Sequence, residues 1–321
     1  MTIAHLIRRA HPERHLTGAV MPTEAKPFLR YPFDEIKSFS ESNEADISNV
    51  IPTGSRSTDY LLRHGDIRLG SITMSREALR FYDKHWSIDA ASQAGIPVPH
   101  TWYNPTDITA FPVFFKSSTE GGGQRGIAHE PKELPSDANG LIFQEYIASP
   151  GTYGVGIIAT DGELNAAHVH HEVESYPNVG GSAVIIERLD DERLRRYAKL
   201  LVEHTRFSGW GLVEFKWCDV RKDYVFMELN AKFWASSEFA FRNEPLFPRL
   251  LFNAEPVGAS CQRMIFMHRA IARGPRFLAK TMPAFMGGAE LRFVPGMWQT
   301  ELARLVVPSP VRTALRRARA K

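Results

Sequence analysis

Glu228 and Asn230 lie two residues apart in the apolar segment VFMELN, and Glu214 sits inside a second one, GLVEF. Side chains alternate along a strand, so Glu228 and Asn230 share a face. If 211–217 pairs antiparallel with 224–230, Glu214 can join them there. Two carboxylates and an amide oxygen suit a hard divalent cation such as Mg2+, which keeps several waters and shares its shell with phosphates. On spacing alone, the same acids fit the solvent side of an ordinary hairpin. Their apolar settings argue against that, because unpaired charge among apolar neighbours is costly.

Lys116 ends a compact apolar run and is followed by SSTEGGGQRG. A buried strand that delivers a lysine into a glycine-rich loop is one way to hold a polyphosphate. The lysine supplies charge, and residues without Cβ let backbone N–H groups approach the oxygens. The order, lysine before glycines with no GK[ST], is not that of a Walker A loop. A plain glycine-rich hairpin tip reads equally well. FQEYI (143–147) closes another apolar run before Pro150-Gly151. A strand edge there, with open backbone groups beside aromatic walls, could recognise adenine; an ordinary buried strand is the rival reading.

The elements that must position these residues follow from periodicity and punctuation. Helical signals occupy 57–63, begin again at Ser75 as an N-cap, and run over 84–94 to a stop at Gly95. Apolar runs at 111–116 and 141–147 read as buried strands. Alternation over 154–160 and 164–171 about Asp161-Gly162 reads as a hairpin. The clearest helix is 190–207, with Asp190 able to cap it and Gly209 to end it. Strands at 211–217 and 224–230 follow. A short strand is expected at 45–50, and residues 1–40 read as mostly irregular.

Composition bounds the class. The chain has 321 residues, 43% hydrophobic and 23% charged, an ordinary globular balance that excludes a fibrous or largely disordered protein. Cys218 and Cys261 are the only cysteines, which excludes a disulfide framework and a multi-cysteine metal site. The opening MTIAHLIRRAHPERH lacks the apolar core of a secretory signal, and no run approaches the roughly 20 apolar residues of a spanning helix. A cytoplasmic protein is expected, at most resting on the inner membrane surface. The net charge of +3 hides an asymmetry: residues 262–321 carry twelve Lys/Arg against Glu290 and Glu301, so that segment is +10 and the rest is −7. The basic character belongs to a tail, and specific nucleic-acid binding by the body is not expected.

Taken in chain order, a lysine with a glycine loop, an acid-containing hinge, one acid on a strand and E-x-N on the next resemble the ATP-grasp superfamily, closest to its carboxylate–amine ligase branch. The carriers are DKHWSIDAASQAGIPVP (83–99), FFKSSTEGGGQRG (114–126), FQEYI (143–147), YPNVGGS (176–182) and LVEFKWCDVRKDYVFMELNAKFWASSEFA (212–240). The resemblance implies an α+β ATP-grasp fold, two α+β lobes enclosing ATP, after a short, truncated Rossmann-like N-terminal unit. The implied domains are 1–82 for that unit, 83–256 for the core (first lobe to about residue 143, second lobe 144–256), and a basic helical tail over 257–321.

Residue by residue, the resemblance makes Lys84 and Lys116 nucleotide-phosphate ligands and places Gly121, Gly122 and Gly123 in a flap. It makes Gln144, Glu145, Tyr146 and Ile147 the adenine hinge, with the Glu145 side chain a candidate for the amino group. Glu214, Glu228 and Asn230 become Mg2+ ligands, with Mn2+ as the alternative ion, and Lys232 a catalytic cation. The implied chemistry is activation of a small-molecule carboxylate by ATP as an acyl phosphate, which an amine then attacks. Two departures stand out. Lys232 occupies a place where the family often has arginine, keeping the charge but losing the fork. Before YPNVGGS the family commonly has arginines, whereas this chain has HVHHEVESYP, so that Glu172 and Glu174 would favour a cationic amine. His168, His170 and His171 read as a strand face rather than as metal ligands. The rival functions are a nucleotide-binding scaffold or sensor without turnover, and phosphoryl transfer to a non-carboxylate acceptor. The tail carries the expectation of peripheral contact with a membrane or an anionic polymer.

Overall fold

The computed structural model of the chain describes residues 2–20, 32–38, 50–120, 123–177, 180–256 and 258–293. The chain forms two compact units: Met1–Asp46, Glu174–Glu187 and Ala259–Lys321 in one, Ile47–Val173 and Arg188–Gly258 in the other.

In the first unit, helix α1 (Thr2–Ala10) precedes strands β1 (Thr17–Val20) and β2 (Glu35–Ser38), which pair in parallel. The described residues within 1–40 are thus more regular than expected. The reason is tertiary: Arg8 on α1 donates through Nε to the Pro32 carbonyl at 3.2 Å and pairs with Asp34, which also accepts the Leu16 N–H at 2.7 Å. Those contacts join positions far apart in sequence, which no local period reports. The same unit holds β11 (Ser182–Arg188), antiparallel to β14 (Arg263–Phe266), and β15 (Glu290–Arg292), parallel to β14. Helices α7 (Met267–Ala272) and α8 (Pro275–Met286) connect β14 to β15. The expected strand residues 45–49 and the basic residues 294–321 lie outside the described residues.

The second unit opens with α2 (Ser55–His64), a tight hairpin of β3 (Ile67–Leu69) and β4 (Ile72–Met74), a 3-10 helix over Arg76–Tyr82, and α3 (Lys84–Gln93). Ser75 stands at the N-cap position of the 3-10 helix without a side-chain cap, whereas Asp83 caps α3 by accepting the His85 and Trp86 N–H groups. An antiparallel sheet in the order β5 (Thr101–Trp102), β8 (Leu141–Glu145), β6 (Val113–Ser117), β7 (Arg125–Ala128) follows. Trp102, Val113, Phe115, Ala128, Leu141 and Phe143 form its buried core.

A second antiparallel array in the order β13 (Asp223–Asn230), β12 (Gly209–Cys218), β9 (Thr152–Thr160), β10 (Glu163–Tyr176) makes up the rest of the unit. The β9–β10 turn has Asp161 at φ 50° and Gly162 at φ 88°, the left-handed pair that matches the twist of a two-residue hairpin. Helix α4 (Glu192–Thr205) buries Leu194, Tyr197, Ala198, Leu201 and Val202, a stripe of period 3.6 whose Tyr197 ring meets Phe215 of β12. Beyond β13, α5 (Ser237–Asn243) and α6 (Leu246–Phe252) bring Phe241, Phe247 and Phe252 against Phe233 and Trp234.

Two helix ends differ from the sequence expectation. Asp191, not Asp190, caps α4, accepting the Arg193 and Leu194 N–H groups at 2.9 and 3.1 Å. The helix stops at Arg206, which itself takes the left-handed conformation, and Gly209 begins β12. Asp191 also accepts the Tyr224 hydroxyl at 2.8 Å, tying the cap to β13. Asp191→Ala is therefore expected to cost about 1–2 kcal/mol, read as a lower denaturant midpoint at unchanged slope. Among the described residues, no helix is long and apolar enough to cross a membrane.

Candidate functional site

The β12–β13 register sets Glu214 directly opposite Glu228, and Asn230 opposite Leu212 one step along the same face. The Asn230 amide donates to Glu214 Oε1 at 3.2 Å and to Glu228 Oε1 at 3.1 Å. Its oxygen accepts from Lys232 Nζ at 2.7 Å, and Lys232 also donates to Glu120 Oε1 at 2.5 Å. From the neighbouring sheet, β6 delivers Lys116, whose Nζ lies 3.4 Å from Glu228 Oε2 and 3.3 Å from the Met227 carbonyl. Lys84, held in the first turn of α3 by the Asp83 cap, donates to the Thr119 carbonyl at 3.2 Å and lies 4.0 Å from Glu120 Oε2. The residues named from the sequence as phosphate, metal and catalytic groups thus form one connected cluster of three lysines, two glutamates and an asparagine.

The loop after β6 is pinned at its start. Lys84 N–H donates to the Ser118 carbonyl at 2.9 Å, and Glu120 N–H to the Tyr82 carbonyl at 2.9 Å. Gly123 has φ 142° and stands so close to Ser117 that a Cβ would come within 2.9 Å of its Cβ, so the loop needs glycine there. Gly121 and Gly122 lie outside the described residues.

The hinge segment has less open backbone than the sequence reading supposed. Gln144 is buried between β5 and β6, and its amide donates to Thr101 Oγ1 at 3.2 Å. The N–H groups of Glu145 and Tyr146 are taken by the carbonyls of His100 (2.9 Å) and Pro112 (3.2 Å). The Glu145 carboxylate accepts the His100 N–H at 3.0 Å and pairs with Arg221. Ile147 is buried and packs with Cys218 and Val225, while Tyr146 is exposed.

No family model matches the chain, and no curated protein matches it. Solved structures do. The ADP complex of N5-carboxyaminoimidazole ribonucleotide synthetase matches with a TM-score of 0.60 at 16% identity, over 88% of this chain and 83% of that one. The biotin carboxylase domain of Hydrogenobacter thermophilus 2-oxoglutarate carboxylase, solved with MgADP, ADP and bicarbonate, matches with a TM-score of 0.55 at 15% identity, over 73% of this chain and 62% of that one. Rhizobium etli pyruvate carboxylase matches with a TM-score of 0.55 at 13% identity, over 74% of this chain; the chain spans only 26% of that enzyme's length.

The chain has the ATP-grasp fold.

Within this ATP-grasp core, the donor set can be tested for a divalent cation by its own electrostatics. Burial would raise Glu228, but the charges of Lys116, Lys84 and Lys232 outweigh it and hold the carboxyl well below the usual range. Glu214 goes the other way. Burial first, then the charges of Glu228 and Glu172, push it well above the usual range. Burial also lowers Lys84, with Lys116 and Lys232 adding to the effect. Two half-buried carboxylates facing each other, one of them pushed toward protonation by burial and by its partner's charge, are what a bound cation would relieve. The two carboxylates fit Mg2+; Asn230 would join them with its amide turned over, since its oxygen here accepts from Lys232.

Three features of the ATP-grasp core were not visible in the sequence. Glu120 bridges Lys84 and Lys232, although as the acid of SSTEGGG it carried no signal beyond membership of the loop. The carboxylate row continues across the sheet: Glu228, Glu214, Gly154 and His170 are register partners in turn. A Cβ on Gly154 would approach His170 Nε2 to 2.4 Å, so glycine makes room for the ring. Lys216 donates to the Gly151 carbonyl and Thr152 Oγ1 at 2.9 and 2.8 Å.

The acid pair singled out before YPNVGGS divides. Glu172 is buried beside His170, whose Nε2 lies 3.9 Å from Glu172 Oε1, whereas Glu174 belongs to the first unit and pairs with Arg273 at 2.6 Å. Burial keeps both His168 and His170 neutral, His168 at about 3. Among the described residues no group of three or more His, Cys, Asp or Glu is placed to hold a metal ion. The candidate Mg2+ set uses two glutamates and an amide.

Proposed function

We propose that the chain is a Mg·ATP-dependent ligase that activates a small-molecule carboxylate as an acyl phosphate and joins it to an amine. The observation that carries this reading is the single cluster of Glu214, Glu228 and Asn230 with Lys84, Lys116 and Lys232, placed on an ATP-grasp fold. In this reading Glu214, Glu228 and Asn230 hold Mg2+, for which Mn2+ can substitute. The ion supplies neutralisation of charge on the phosphates. Lys116 and Lys84 bind phosphate oxygens. The segment Gln144 to Ile147 forms one wall of the adenine site.

Lys232 is the catalytic cation. It stands between Asn230 and Glu120 and can follow negative charge as it develops on the transferring group. The carboxylate oxygen takes the terminal phosphoryl group and ADP leaves; the amine nitrogen then displaces phosphate, and its proton goes to solvent. No protein nucleophile is required, and neither Cys218 nor Cys261 sits in a recognisable nucleophile motif. Glu172, buried and close enough to Glu214 to raise it, supports a cationic amine as acceptor. A cytoplasmic setting, where ATP is abundant, belongs to the same proposal.

ADP release measured across panels of carboxylates and amines tests the reading. A ligase gives release that depends on both substrates. Release without any amine would mean phosphoryl transfer alone, and ATP binding with no release would mean a nucleotide-binding scaffold.

A further inference from the structure

Helix α8 buries Phe277, Thr281 and Ala284, spaced i, i+4 and i+7, and turns its opposite face outward. On a soluble protein that outer face is ordinarily polar. Here it carries Ala279, Met282, Pro283 and Met286, with Phe285 at its flank. Met282 is 50% exposed, Phe285 47% and Met286 81%, and Phe293 follows at 41%. Single exposed apolar residues are ordinary, but four within twelve positions, three on one helix, form a patch that calls for a partner.

The charge around the patch says which partner. The helix has no acidic residue, and Arg276 and Lys280 are both exposed along one side of the apolar face. In sequence, the chain after Phe293 carries Arg304, Arg312, Arg316, Arg317, Arg319 and Lys321 against Glu301 alone. A nucleic acid or polyanion would match the basic residues but leave the Met and Phe side chains in water. A helix with an apolar face rimmed by Lys/Arg matches an anionic lipid surface, where side chains enter the acyl boundary and cations meet headgroups.

We propose that the outer face of α8 docks the protein on an anionic membrane surface, with Met282, Phe285 and Met286 inserting and Arg276 and Lys280 meeting lipid phosphates. The inference is independent of the ligase reading, since it draws on no residue of the nucleotide cluster.

Sedimentation of the full chain with vesicles of phosphatidylcholine, with or without about one-third phosphatidylserine, tests it. The protein should pellet with the anionic vesicles at about 50 mM salt, much less at about 500 mM, and not with the neutral ones. The triple variant Met282→Ser, Phe285→Ser, Met286→Ser should lower the partition coefficient at least about tenfold, and Arg276→Glu with Lys280→Glu should do the same at low salt only. All five side chains are exposed, and an unchanged melting temperature shows that each variant still folds. Wild-type protein that stays in the supernatant overturns the proposal. So does equal pelleting of the triple variant, which would leave the binding to charge alone. A triple variant that changes the oligomeric state instead would make the face an interface between copies and likewise overturn it.

Discussion

Glu228→Gln is expected to lower Mg2+-dependent ATP turnover by at least about a hundredfold while the protein remains folded. Glutamine keeps the shape and can still accept from Asn230, which donates to Glu228 at 3.1 Å. What it removes is one of the two negative charges proposed to hold a divalent ion, and the partner of Lys116 at 3.4 Å. The effect on stability is expected to be small, because two consequences oppose each other. Glu228 has a lowered pKa, so its ionised form stabilises the fold above the usual carboxylate range, and that stabilisation fades as pH falls toward its folded value. Glu214 has a raised pKa, caused partly by Glu228, so its ionisation opposes folding at neutral pH. Glutamine at 228 abolishes both the gain and the repulsion. The measurement is ADP release as a function of Mg2+ concentration, with the melting temperature of the nucleotide-free variant alongside. Wild-type turnover at every Mg2+ concentration would remove the metal assignment.

The same residues show why part of this site could be read from the chain and part could not. The E-x-N face follows from a property of every strand, the alternation of side chains, so Glu228 and Asn230 on one face needed only the recognition of an apolar strand. Glu214 needed one further step, an antiparallel hairpin of the right register, and the observed partner of Glu228 is indeed Glu214. The approach of Lys84 and Lys116 to that face required the family resemblance, because they come from a helix start and from a strand of another sheet. Glu120 escaped both routes. Its place between Lys84 and Lys232 depends on how the loop after β6 is anchored to Tyr82 and α3, which only the folded chain sets.

Helix ends repeat the lesson on a smaller scale. Asp190 and Asp191 are equally good caps by type. The choice of Asp191 goes with its second bond, to the Tyr224 hydroxyl on a distant strand. Arg206 in the left-handed conformation is an ending that local propensity disfavours and tertiary packing imposes. At the hinge, sequence suggested a strand edge with open backbone groups over 143–147, and the folded chain engages the N–H groups of Glu145 and Tyr146 internally.

Lys116→Ala is expected to remove about half of the rise in melting temperature that ATP produces. A ligand that binds only the folded state stabilises it by about 2.7 kcal/mol at a hundredfold excess over Kd, and a tenfold loss of affinity withdraws about 1.4 kcal/mol of that. The quantity to compare is the ATP-dependent increment rather than the absolute melting temperature. Lys116 is buried, and its Nζ also donates to the Met227 carbonyl, so alanine lowers the baseline by opening a space and leaving Glu228 with less compensation. Lys116→Met separates the two effects: it keeps the aliphatic stem and removes only the ammonium group. If the lysine binds phosphate, methionine restores much of the baseline but not the increment. If the lysine only extends from the strand to Glu228, methionine retains the full ATP-dependent rise, and the phosphate role falls while the carboxylate cluster stands.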